Sequence, residues 1–135
     1  MSKKLSTIEG IGPTYEAKLN EAGIKSVEAL LEKGGSAKGR KEIEDATGID
    51  HKRVLDWVGM ADLFRVKGVA GEFAELLKGA GVDTIKELRN RNAANLAAKM
   101  KEVNDVKKLT RAVPSESQVQ GWVDQAKELE PAVTH

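Results

Sequence analysis

The sequence predicts an all-α protein, and three observations support that class. The apolar residues are mostly aliphatic, since hydrophobic residues make up 40% of the 135 positions and aromatic residues only 4%. Such a mixture of Leu, Ile, Val and Ala suits helices better than sheets. Apolar residues also recur at helical spacing, whereas sustained period-two alternation is not found. The third observation is an internal repeat whose two copies show the same helical pattern.

The repeat becomes visible when the chain is shifted by 58 residues. IEGIGPTYEAKLNEAGIKSVEAL (8–30) then aligns with VKGVAGEFAELLKGAGVDTIKEL (66–88), and five of the 23 positions are identical. Seven more keep size and character. Further along, Trp57 matches Trp122 at an offset of 65, so the second copy is longer by about seven residues. We predict two tandem pseudo-repeats, residues 1–62 and 63–135, that pack as one compact unit. The identical pairs are Gly10/Gly68, Leu19/Leu77, Ala22/Ala80, Gly23/Gly81 and Leu30/Leu88.

The first copy predicts four helices. Apolar residues at i, i+4 and i+7 indicate a helix with Pro13 in its first turn and Gly23 at its C-terminal stop. A short helix follows, and two more are predicted at about 37–47 and 51–63. The expected caps and stops of these three helices are Ser26, Gly48 and Asp50.

The second copy repeats this pattern and extends it. A helix carrying Phe73 ends at Gly81, and a short helix follows it. Further helices are predicted at 93–103, 105–111 and 116–129. The expected caps are a Thr84…Glu87 capping box, Asn92, and a Ser115…Gln118 capping box.

The turn before the first long helix, read with the elements around it, resembles the helix-hairpin-helix motif. The residues that carry the resemblance are Leu5, Ile8, Gly10, Ile11, Gly12, Pro13, Ala17, Leu19, Gly23 and Ile24. Residues 63–88 look like a second, more eroded copy. The whole chain is similar to a family of tandem helix-hairpin-helix proteins that is itself described only as a domain of unknown function.

The resemblance implies sequence-independent binding of double-stranded DNA. In such motifs the backbone amides of the hairpin point at a phosphate, at the positive end of the following helix. Glycine permits close approach of the backbone and positive φ angles. Carried over by residue, the first phosphate site comprises Gly10, Ile11, Gly12, Thr14 and Lys18. The second site comprises Lys67, Gly68, Ala70 and Gly71.

Charge differs between the two turns. Glu9 and Glu16 flank the first and would repel a phosphate, whereas Arg65 and Lys67 flank the second. The second copy in turn lacks the Gly-Pro pair that follows Ile11 in the first. Both turns therefore also fit another interpretation, in which they only join packed helices and the protein is an interaction or scaffolding module with a protein partner.

Two groups of basic residues lie outside the turns. One is KGRK at 38–41, and the other comprises Lys99, Lys101, Lys107, Lys108 and Arg111. Acidic residues are interleaved with both, which favours ordinary solvated helix faces, and the second group is the better candidate for an auxiliary DNA contact. Trp57 and Trp122 are predicted to pack in the core rather than stack on bases.

Composition bounds the remaining function classes. The net charge is +1 overall, −1 for residues 1–63 and +2 for residues 64–135, without the excess typical of dedicated nucleic-acid binders. There is no Cys, and His51 is the one internal histidine, so we expect no metal, no cofactor and no catalytic set. No apolar run reaches membrane-spanning length, and the N-terminus lacks a secretory signal. We expect a non-enzymatic cytoplasmic protein without membrane contact, and its oligomeric state stays open.

Overall fold

The computed structural model describes residues 3–69 and 71–134. Within these ranges the chain forms eight α-helices and one 3-10 turn and no strand, so the predicted all-α class is confirmed. The 3-10 turn spans Leu5–Thr7, and the helices are α1 Pro13–Glu21, α2 Val27–Gly34, α3 Ala37–Thr47, α4 His51–Leu63, α5 Gly71–Gly79, α6 Ile85–Leu88, α7 Ala93–Lys107 and α8 Glu116–Glu128.

The helices group into two units. One comprises Met1–Asp62 with Ala132–His135, and the other comprises Leu63–Pro131. Each has its own apolar core, as expected for amphipathic helices that bury one face. Fully buried side chains in the first unit include Leu5, Ile8, Leu19, Leu30 and Ile43. Those in the second include Leu76, Leu77, Ile85, Leu88 and Met100.

The predicted N-terminal caps are present. The hydroxyl of Ser26 accepts from the amide of Ala29 at 3.0 Å, and the Asn92 side chain accepts from the amide of Asn95 at 3.0 Å. Ser115 and Gln118 form the complete capping box at the start of α8. Thr84 caps α6 as predicted, although the Glu87 carboxylate pairs with Arg91 at 2.9 Å. Each of the capping bonds satisfies an amide that a helix start leaves unpaired.

The two long helices that follow the glycine-rich turns end in the same way. Gly23 after α1 and Gly81 after α5 adopt φ values of +88° and +93°. The next amide donates back across the helix end, from Ile24 to Leu19 at 2.9 Å and from Val82 to Leu77 at 2.8 Å. These bonds form Schellman motifs closed by buried apolar pairs, and only glycine adopts this backbone without a steric cost.

One prediction about helix boundaries is wrong. Residues 93–107 form a single helix, α7, where the sequence predicts two helices at 93–103 and 105–111. Asn104, the expected break, lies inside α7 and its carboxamide bonds twice to the backbone of Thr110, at 3.0 Å each. The segment at 108–111 is therefore a turn folded against α7. The prediction failed because the sequence alone does not distinguish an asparagine that bonds to a later backbone group from one that caps a new helix.

The last described residues pack on the first unit. The Thr134 amide donates to the Gly35 carbonyl at 2.8 Å, and Val133 is buried. Arg40 is also buried, and its guanidinium donates to the carbonyls of Gly34 at 2.9 Å, of Gly35 at 3.0 Å and of Thr134. Arg40 therefore joins the α2–α3 connection to the C-terminal segment. The expectation of a solvated face at 38–41 fails for this one residue.

Candidate functional site

The first glycine turn (residues 8–12) precedes α1. Gly10 has a φ of +96°, and a Cβ there would lie 3.2 Å from Nε1 of Trp57. The Ile11 amide donates to the Ile8 carbonyl at 3.2 Å, and both of these side chains are buried. Gly10 is therefore required by the backbone conformation and by packing, and the amide of Ile11 is bonded within the turn.

The second glycine turn (residues 66–69) has the same geometry. Gly68 has a φ of +94°, and a Cβ there would lie 3.1 Å from Nε1 of Trp122. The Val69 amide donates to the Val66 carbonyl at 3.2 Å. Ala70, which the sequence places in the second phosphate site, lies outside the described residues. Position 68 therefore requires glycine for the same two reasons as position 10.

A tryptophan packs beneath each turn. The Trp57 ring lies 5.1 Å from that of Tyr15 in an edge-on arrangement, and the Trp122 ring lies 5.4 Å from that of Phe73. Both tryptophans are buried, which confirms the predicted core role. Each indole therefore fixes its glycine turn against the first helical turn that follows, since Tyr15 and Phe73 are the third residues of α1 and α5.

Gly12 differs from Gly10. It is the N-cap of α1 with a φ of −89°, a conformation open to any residue, and a Cβ there would meet no atom within 4 Å. No side chain caps α1, and the helix ladder begins only where the Glu16 amide donates to the Gly12 carbonyl at 2.9 Å. Pro13 has no N–H, so the first turn of α1 presents the Thr14 amide beside an exposed Gly12.

The charges around the first turn are mixed. Thr14, Lys18 and Glu9 are exposed, and Glu16 is half-buried. The structure adds a cation that the sequence did not place here, because the Arg53 guanidinium carbon lies 5.4 Å from the centre of the Tyr15 ring. Arg53 also pairs with Asp50, which raises the pKa of Arg53 through a side-chain hydrogen bond. The helical spacing of Arg53 and Trp57 along α4 is the signal that could have placed it.

The second turn is held by α8. The Lys67 amide donates to Oε1 of Gln125 at 2.9 Å, and Nε2 of Gln125 donates to the Lys67 carbonyl at 3.1 Å. The amide of Lys67 is therefore bonded internally while its side chain remains exposed. Gly71 is the first residue of α5 and is half-buried. Gln125 lies one helical turn beyond Trp122, and its role was not predicted.

Part of the second basic group lies beside the start of α5. Lys108, Leu109, Thr110 and Arg111 line a groove together with Glu72, the second residue of α5. We name residues 108–111 the basic turn. Lys99 belongs elsewhere, since it pairs with Glu102 at 3.5 Å on α7. The structure therefore brings two of the five predicted basic residues, Lys108 and Arg111, to the helix that follows the second glycine turn.

Other kinds of site find no support in residues 3–69 and 71–134. These residues contain no group of three or more His, Asp or Glu side chains arranged to hold a metal ion. His51 pairs instead with Glu44, with 2.9 Å between Nδ1 and Oε2. No helix in the described ranges combines the length and the apolar character needed to cross a membrane.

Comparison with known proteins identifies a family. The family model described as Domain of unknown function (DUF4332) matches residues 9–129, a span that includes all eight α-helices, the second glycine turn and all but the first residue of the first glycine turn. No curated protein and no solved structure matches the chain significantly. Because the match covers most of the sequence, the chain belongs to the DUF4332 family of domains of unknown function.

Proposed function

We propose that the two glycine turns are helix-hairpin-helix hairpins and that the protein binds double-stranded DNA without sequence preference. Gly12 carries the proposal. Its backbone conformation suits any residue, and in the described part of the chain no atom lies within 4 Å of where its Cβ would be, so neither backbone conformation nor packing requires glycine. A phosphate that approaches the amides of Gly12 and Thr14 at the positive end of α1 would supply that reason.

The contact supported by this geometry is narrow. Gly10 and Ile11 shape the turn, and Lys18 lies one helical turn beyond Thr14 on an exposed face. Glu9 and Glu16 lower the positive potential around the site. A few phosphate contacts of this kind give non-specific affinities of about 10⁻⁴ M at physiological salt. We therefore propose an accessory DNA-binding role without catalysis or cofactor.

Fluorescence anisotropy with labelled duplex DNA in about 50 mM salt tests the proposal, because phosphate contacts are strongest at low ionic strength. The informative variant is Gly12→Asp. Aspartate is a preferred N-cap residue, so this variant should fold at least as well as the native protein. Its carboxylate would occupy the phosphate position, and we expect the affinity to fall roughly tenfold or more.

Gly12→Asn is the matched control, since it adds similar bulk and the same capping ability without charge. We expect a smaller loss than for aspartate. If the native protein and both variants have the same DNA affinity, the proposal that the first turn binds a phosphate is wrong.

A second candidate function is binding to another protein, with both turns acting only as helix connections. The observation that favours it is Val106, which is 83% exposed on α7 next to the half-buried Val103. Pull-down from native extract with nuclease present tests it, and a partner that Val106→Asp releases would favour this function.

A further inference from the structure

The basic turn at 108–111 is a second surface, beside the first turn of α5, the helix that follows the second glycine turn. The groove at the basic turn has a volume of about 630 Å³, and Glu72 from the first turn of α5 also lines it. The lining is Lys108, Thr110 and Arg111 with one apolar residue, Leu109. The two cations in this lining suit an anionic chain better than the apolar side chains of a folded partner.

The backbone of the basic turn is fixed in place. The Asn104 carboxamide donates to the Thr110 carbonyl and accepts from the Thr110 amide, both at 3.0 Å. The Thr110 hydroxyl donates to the Ala112 carbonyl at 3.3 Å. The side chains of Lys108 and Arg111 therefore extend from an ordered backbone, so that less conformational entropy is lost when a ligand binds.

Lys108 ends α7 in an unusual conformation. Its φ is +54°, and in residues 3–69 and 71–134 every other residue with positive φ is a glycine. A left-handed lysine is less stable than one in the ordinary helical region, because its Cβ crowds the following carbonyl oxygen. Helix ends of this kind usually carry glycine or asparagine. Part of the cost is offset by the attraction between the ammonium group and the helix C-terminus.

The two cations of the basic turn have no ionic partner within the described part of the chain. Lys41, Arg53 and Lys99 differ from them, since each pairs with a carboxylate on its own helix or at its start. Glu72 lines the groove and is the one acidic residue there. Its carboxylate would weaken the binding of an anion without neutralising either cation.

We infer that the basic turn is an auxiliary phosphate-contact surface for the DNA strand that passes the second glycine turn, with Lys108 and Arg111 contacting backbone phosphates. The inference rests on the proposed DNA binding and deepens it by assigning this surface and two contact residues. Arginine forms paired hydrogen bonds with a phosphate, and lysine acts as a mobile point charge. Such contacts hold a duplex in position and carry no base specificity.

Lys108→Gly tests the inference because it separates charge from structure. Glycine accepts the left-handed conformation at less cost than lysine, so the thermal stability should not fall. The loss of one phosphate contact should lower the affinity roughly tenfold at about 50 mM salt and reduce the slope of log K against log salt by about one. Arg111→Gln should have a similar effect on the slope. Lys101→Ala is the matched control, since Lys101 is exposed on α7 and does not line the groove.

Glu72→Gln gives a test with the opposite sign, since removal of the groove carboxylate should raise DNA affinity. The inference is supported if the native protein binds a labelled duplex and if Lys108→Gly and Arg111→Gln each lower the affinity more than Lys101→Ala does. If the native protein binds but both variants behave like Lys101→Ala, the basic turn is not a contact and the first-turn proposal stands. Labelled polyglutamate is the second probe. If Lys108→Gly and Arg111→Gln lose affinity for polyglutamate but keep the native affinity for duplex DNA, the basic turn binds an acidic peptide and the inference is overturned. If the native protein binds no duplex at all, the proposed function fails together with it.

Discussion

Gly10 and Gly12 stand two residues apart, and their surroundings give them different roles. Positive φ and the Trp57 indole both demand glycine at position 10. Neither condition applies to Gly12, which has an extended backbone and open space beside it. Positive φ at Gly10 and Gly68 follows from the shape of a tight turn. The free space at Gly12 is the residue-scale feature that favours a ligand.

The same substitution at the two positions should therefore have opposite effects on folding. Gly10→Ser should lower the free energy of unfolding by about 1–3 kcal/mol, because a side chain in this region is strained and contacts the indole. Gly12→Ser should raise it by a few tenths of a kcal/mol, because serine caps α1. Urea denaturation measures both. Equal destabilisation by the two variants would contradict the assigned roles.

The ionisation of Asp50 at the start of α4 should make the stability of the protein depend on pH. Its side chain accepts from the Arg53 amide at 3.2 Å and from the Arg53 guanidinium, and this hydrogen bonding lowers the pKa of Asp50. A carboxyl whose pKa is lower in the folded state adds stability above its unfolded pKa of about 3.9 and loses it as pH falls through the folded value. Asp50→Asn keeps a cap that does not titrate. The difference in melting temperature between native and Asp50→Asn proteins should therefore shrink as pH falls from 7 to 3. A constant difference would show that the Asp50 charge adds no stability.

At the scale of elements, the caps and stops follow from short sequence signals. Ser26, Asn92 and the Ser115–Gln118 pair were predictable because each cap bonds to an amide only three residues away. The extent of α7 was not predictable in this way. Asn104 bonds to the backbone of Thr110 six residues further on, and an asparagine at this position is equally compatible with a helix cap. Arg40 was missed because its acceptor at Thr134 lies 94 residues away.

Arg40 should control the stability of the first unit. Its guanidinium serves three carbonyl groups, and its burial lowers its pKa while the charge of Glu44 opposes that effect. Arg40→Ala would remove all three of these hydrogen bonds and the packing of a buried side chain, which should lower the free energy of unfolding by about 2–4 kcal/mol. Lys41→Ala, on the exposed face of the same helix, should change it by less than about 0.5 kcal/mol.

The two tryptophans make this prediction measurable unit by unit, since Trp57 lies in the first unit and Trp122 in the second. In a Trp122→Phe background, indole fluorescence reports only on the surroundings of Trp57. The urea midpoint of that signal should fall with Arg40→Ala and stay nearly constant with Lys41→Ala. Equal midpoints for the two variants would show that the Arg40 contacts do not stabilise the unit.

At the scale of the whole molecule, sequence reasoning reached the fold more fully than the site. The helical pattern and the glycines define the elements because these signals are local. The site depends on which distant residues meet the turns, and two of these were missing from the sequence-based account. Gln125 holds the second turn, and Arg53 reaches Tyr15. The sequence did name Lys108 and Arg111 as members of a basic group, but it could not place them beside Glu72 because that contact joins residues far apart in the chain.

The central claim is that exposed helix starts and nearby cations contact DNA phosphates in a protein of nearly neutral charge. The salt dependence of duplex binding tests it most directly, because the slope counts the phosphates neutralised. We predict measurable binding at about 50 mM salt, with log K falling linearly against log salt with a slope of about −2 to −4, and a marked loss of affinity for Gly12→Asp. Absence of binding at high micromolar protein, or binding indifferent to both salt and Gly12→Asp, would contradict the claim.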